Sequence, residues 1–82
     1  MKLSPDVILR PEDNVAFQSN EGRIVFLTDS GFEILSGISQ NKSRKEILNT
    51  LQSKYEVDKR TLELDLDRFV EEVSSKGILE NE

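Results

Sequence analysis

Cysteine and histidine are both absent from the 82 residues. No thiolate nucleophile, disulfide, imidazole acid–base pair or zinc cluster can therefore be assembled. Carboxylates, hydroxyls and amines remain. The nearest approach to a paired acid is Asp65 with Asp67, but residues two apart on a helix point to different faces, and no glycine-bearing loop of metal-ligand spacing surrounds them. Gly22, Gly31, Gly37 and Gly77 form no phosphate-cradling motif, and the scattered serines and lysines have no neighbour to activate them. The sequence predicts no catalytic residue, no metal site and no cofactor, which leaves binding as the chemistry these residues can do.

Binding residues need elements to hold them. Val7-Ile8-Leu9 is a short apolar run between Pro5 and Pro11, suited to an edge strand because proline cannot donate to a ladder. Residues 11–14 read as a turn, and Val15-Ala16-Phe17-Gln18 alternates with Val15 and Phe17 on one face. A loop ending in Gly22 leads to a third strand, Arg23-Ile24-Val25-Phe26-Leu27, rich in β-branched and aromatic residues. The period then changes. Thr28 or Asp29 caps a first helix carrying Phe32, Leu35 and Ile38, with Gly37 near its end and Gly31 expected to allow close approach to the sheet. Ser43 with Glu46 has capping-box spacing for a second helix to about Tyr55, its stripe being Ile47, Leu48 and Leu51. Asp58 caps a third helix with Leu62, Leu66, Phe69, Val70 and Val73 on one face. That helix stops at Lys76-Gly77, and Ile78-Leu79 returns to the core.

Three strands followed by three helices predict an α+β fold, a three-stranded antiparallel sheet on a helical trio in winged helix-turn-helix order, as one domain over residues 1–82. Charged residues make up 33% and hydrophobic ones 35%, a balance that excludes disorder and membrane spans alike. With no apolar run of signal-peptide or membrane-span length, a cytoplasmic location without membrane association is expected.

The pieces Leu27-Thr28-x-x-Gly31-x-x-Ile34-Leu35, Ser43-x-x-Glu46-Ile47 with Leu51 and Tyr55, Asp65-Leu66-x-x-Phe69-Val70, and Lys76-Gly77-Ile78-Leu79 follow in an order and spacing that resemble the PqqD family. The resemblance runs from about Val7 to Leu79, and it departs at Thr28, where the family commonly has asparagine; either residue caps a helix. It implies a non-catalytic recognition element for ribosomally made, post-translationally modified peptides. The leader segment of the precursor would dock between the third strand and the third helix, and the precursor would pass to a maturation enzyme. That enzyme is of radical SAM type in cofactor (PQQ) biosynthesis or a leader peptidase in lasso-peptide biosynthesis. Carried onto this sequence, the docking groove takes in Arg23, Ile24, Val25, Phe26, Leu27, Leu66, Asp67, Val70 and Val73.

The residues also speak for such a groove without the family. Ile24-Val25-Phe26-Leu27 is apolar on both strand faces, whereas a half-covered antiparallel strand needs one. If Val25 and Leu27 face the core, Ile24 and Phe26 await another cover, and an unpaired edge beside them accepts an extended peptide. The alternative is that the sheet curls under the helices, or that Phe26 packs beneath the N-terminal segment. On the third helix Asp67 and Val70 lie at one rim of the apolar stripe and Asp65 and Lys76 at the other, while Leu64 points away from it. A winged-helix DNA-binding regulator is the competing reading, using Lys42, Arg44 and Lys45. Against nucleic acid stand a net charge of −5 and a third helix with four cations and six anions between Asp58 and Lys76. A scaffold that binds only an enzyme, and a homodimer through the sheet edge, are left open by the sequence.

Overall fold

A computed structural model describes residues 1–80. The strands are β1 (Lys2–Leu3), β2 (Val7–Arg10), β3 (Val15–Gln18), β4 (Arg23–Phe26) and β5 (Leu79–Glu80), and the helices are α1 (Asp29–Ser39), α2 (Arg44–Lys54) and α3 (Lys59–Ser75). β2, β3 and β4 form the expected antiparallel sheet in that order, ahead of the three helices, so the third strand of the sequence analysis is β4. A second, two-stranded sheet pairs β1 with β5. It was not anticipated, since two-residue strands leave no periodic trace.

Each helix begins where a side chain can satisfy its free N–H groups. Thr28 Oγ1 accepts from Gly31 N, Ser43 and Glu46 complete a reciprocal capping box, and Asp58 accepts from Arg60 N and Thr61 N. α3 ends in paired bonds from Gly77 N to Ser74 O and from Ile78 N to Val73 O, a Schellman closure. That geometry puts Gly77 at φ +79°, which a side chain rarely adopts. The same closure ends α1, but on Asn41 at φ +60° rather than at Gly37. Gly37 is instead buried inside the helix because a Cβ there would stand 2.9 Å from Ile47 Cγ1 of α2.

The core lies between the inner face of the sheet and the helices. It gathers Ala16, Ile34, Leu35, Ile38, Ile47, Leu48, Leu51, Leu62, Leu66, Val73, Ile78 and Leu79. Successive strand side chains alternate faces, so β3 turns Ala16 and Gln18 inward and Val15 and Phe17 outward. Gln18 is 2% exposed and donates Nε2 to Lys76 O at 2.9 Å, while Ser4 donates Oγ to Gly77 O at 2.7 Å. Two buried polar side chains thus tie the sheet and the N-terminal segment to the turn after α3.

Candidate functional site

The register of β3 against β4 decides which backbone groups are left over. Leu27 N donates to Asn14 O at 2.8 Å, and the pairs Val15↔Phe26, Ala16↔Val25, Phe17↔Ile24 and Gln18↔Arg23 follow in sequence. Hydrogen-bonded and non-hydrogen-bonded pairs alternate along an antiparallel ladder. Asn14 with Leu27 is a bonded pair, so Val25 and Arg23 also bond toward β3. Ile24 and Phe26 therefore aim their N–H and C=O groups at the open edge, where no strand lies among the described residues.

The opposite edge, on β2, is a poorer template. By the same alternation its outward groups belong to Val7 and Leu9, but Val7 N is already bonded to Ser4 O, and Pro11 beyond has no donor. β4 carries no proline and offers two complete donor–acceptor sets.

Where β4 runs into α1, a shallow pocket of about 270 Å³ opens against α3. Thr28, Ser30, Gly31 and Ile34 line one side, and Asp65, Arg68, Phe69 and Glu72 the other. The buried Gly31 makes this approach close: a Cβ there would meet Phe69 Cε1 at 2.9 Å. The close contact expected of Gly31 is thus with α3 rather than with the sheet. Glu72 holds Lys76 Nζ at 3.3 Å, and Asp65 and Arg68 are exposed.

The sequence-derived binding residues separate into three groups. Ile24 and Phe26 stand on the outer face of the sheet, 55% and 82% exposed, which overturns the alternative that Phe26 packs under the N-terminal segment. Val25 and Leu27 are half-buried against the core, and exposed Arg23 holds Glu21 at 3.2 Å. On α3, Leu66 and Val73 are core residues and Val70 packs half-buried beside them. Asp67 faces α2, accepting Arg44 Nη2 at 2.7 Å. The two rims of the α3 stripe therefore have different neighbours, and the rim with Asp65 is the one that faces the β4–α1 junction. Phe69, Arg68 and Glu72 were missed as pocket residues. Phe69 belongs to the apolar stripe as expected, and its place at the edge of that stripe is the signal for its second role as a pocket wall.

The cationic cluster of the DNA-binding alternative is partly spent, since Arg44 is engaged by Asp67 and by Glu63 O. Among the described residues, no helix is long and apolar enough to cross a membrane.

Comparison with known proteins agrees with this geometry. No curated protein matches the chain. The structure of TbiB1 in complex with the TbiA(beta) leader peptide superposes with a TM-score of 0.90 at 30% identity, covering 100% of this chain and 98% of that one. A lasso peptide synthetase B1 complexed with the leader peptide superposes at 0.83 and 23% identity over 94% of this chain and 93% of that one, a likeness of fold. The family model for coenzyme PQQ synthesis protein D matches residues 7–79, nearly the whole chain, and the protein belongs to the PqqD family.

Proposed function

We propose that this chain is a non-catalytic binding module that takes up the leader segment of a ribosomally synthesised precursor as an added strand on the open edge of β4. It then presents that precursor to a maturation enzyme, a leader peptidase of lasso-peptide type or a radical SAM protein. The observation that carries the reading is the outward aim of the Ile24 and Phe26 backbone groups beside the pocket between α1 and α3. The leader peptides bound to the similar TbiB1 and lasso peptide synthetase B1 chains support it.

The four backbone groups of Ile24 and Phe26 supply up to four hydrogen bonds, each contributing about 0.5–1.5 kcal/mol net. Ordering a flexible peptide costs about 2–5 kcal/mol or more. Backbone pairing alone therefore roughly breaks even, and side-chain contacts decide affinity and choice of leader. Side chains of the added strand alternate as those of β4 do. One set lies beside Ile24 and Phe26 on the outer face, and the other turns toward Phe69, Asp65, Arg68 and Glu72.

Calorimetric titration of leader segments from the precursor peptides of the source genome, with the TbiA(beta) leader bound by the similar TbiB1 as a reference ligand, tests the reading. Binding is expected, and Phe26→Asp is expected to weaken it up to about fivefold, the scale of one lost cross-strand pair of about 0.2–1 kcal/mol. The side chain is largely in solvent, so circular dichroism should show an unchanged fold. Equal affinity for wild type and a folded Phe26→Asp variant would contradict the assignment.

A further inference from the structure

The face of the sheet turned away from the helices carries two rows of side chains. Ile8, Phe17 and Ile24 make one row, and Arg10, Val15 and Phe26 the other. A depression of about 400 Å³ on this face is lined by Arg10, Asp13, Val15, Phe17, Ile24 and Phe26. Four of these six belong to β3 and β4, so the depression sits beside the open edge. Val15 is 4% exposed yet stands outside the helix-side core, which gives this face apolar packing of its own. The lining charges, Arg10 and Asp13, lie 3.9 Å apart and offset one another.

A leader strand running antiparallel to β4 places one residue directly opposite Ile24 and another directly opposite Phe26, because these are the residues whose backbone groups face the edge. Residues directly opposite share a face of the sheet, with Cβ atoms about 4.5–5.5 Å apart. Two leader side chains therefore extend the two rows, next to the exposed Ile24 and Phe26. We propose that the depression is the subsite that selects the leader, taking two bulky apolar side chains two positions apart in its sequence, and that Phe17, one strand in from the edge, is a specificity-determining residue. This rests on the leader-recognition reading above. Strand spacing puts the Phe17 backbone about 10 Å from the leader residue in its row. Only Ile24 stands between them, and two large side chains leaning toward one another close that gap above it. The leader residue between the two turns the other way, toward the more polar pocket of Asp65, Arg68, Phe69 and Glu72. Apolar selection thus belongs to the outer face, where a charged leader side chain finds no net opposite charge.

The test titrates leader segments from the precursor peptides of the source genome into wild type, Phe17→Thr and Ile8→Lys, and records isotope-filtered NOE spectra of the wild-type complex. Threonine keeps the strand preference of position 17, and Ile8 is exposed and outside the depression, so both variants should fold. Phe17→Thr is expected to weaken binding about two- to tenfold, the scale of one lost aromatic contact, and Ile8→Lys to leave it within about twofold. In the spectra the Phe17 ring should meet a leader side chain, and Ile24 and Phe26 should meet leader residues two positions apart. Unchanged affinity in a folded Phe17→Thr variant, or a Phe17 ring without leader contacts, would overturn the subsite and leave the leader reading standing. An equal loss in Ile8→Lys would overturn it as well, because the effect would belong to the whole face. So would a free chain that sediments as a dimer and loses the dimer in Phe17→Thr, since the occupant would then be a second copy. A wild-type chain that binds none of the leader segments would overturn the leader reading itself, and the subsite with it.

Discussion

Single side chains hold the helix starts in place, and two of them do so as charges. The Ser43 backbone N–H, with the Ser43 hydroxyl, holds the Glu46 carboxyl below its usual range. The Thr61 hydroxyl, with the backbone N–H groups of Thr61 and Arg60, does the same for Asp58. A carboxylate whose folded pKa is depressed contributes stability above its unfolded value and loses it as pH falls through the folded one. Stability should thus be flat from neutral pH to about 5 and decline below about 4, near the ordinary Asp and Glu values. Urea denaturation midpoints across this range check it, and Asp58→Asn combined with Glu46→Gln should flatten the decline. A midpoint independent of pH in the wild type would contradict it. Both caps were legible in the sequence, because a Ser-x-x-Glu spacing and a lone Asp before an apolar stripe act through bonds only two or three residues long.

Elements are legible as far as their periodicity extends, and contacts between them are not. The stripe Leu62, Leu66, Val73 placed α3 correctly, and the β-branched and aromatic run Ile24-Val25-Phe26 placed β4, whose two-sided apolarity left open whether its outer residues are covered; Ile24 and Phe26 are exposed. Which rim of α3 meets the β4–α1 junction depends on how the helices pack through the core, and the exposed Arg44 pair with Asp67, 23 residues apart, marks that packing rather than setting it. Local pattern carries no such information. Gly37 shows the same limit: its place near the end of α1 was legible, but its packing against Ile47 of α2 was not. Gly37→Ala gains up to about 1 kcal/mol of helix propensity but forces a methyl against Ile47, which is 2% exposed and has little room to move. Overpacking of this kind costs about 1–3 kcal/mol. A net loss of about 0–2 kcal/mol in denaturant unfolding is the expected result, whereas a more stable Gly37→Ala variant would contradict the close packing of α1 on α2.

At the scale of the whole molecule, one open strand edge, a pocket beside it and an apolar sheet face all converge on β4. The net charge of −5 leaves such a surface suited to peptides rather than to phosphate backbones. The leader-recognition reading depends on a leader strand bonding to β4, and the ladder makes that residue-specific. Amide hydrogen exchange by NMR, with and without leader peptide, reads it most directly. The free chain should exchange Ile24 and Phe26 quickly, with Val25 and Leu27 already protected by their bonds to β3, and leader should slow Ile24 and Phe26 alone on this strand. Leader bound with Ile24 and Phe26 still exchanging freely, or with new protection at Leu9 on the β2 edge instead, would contradict the account.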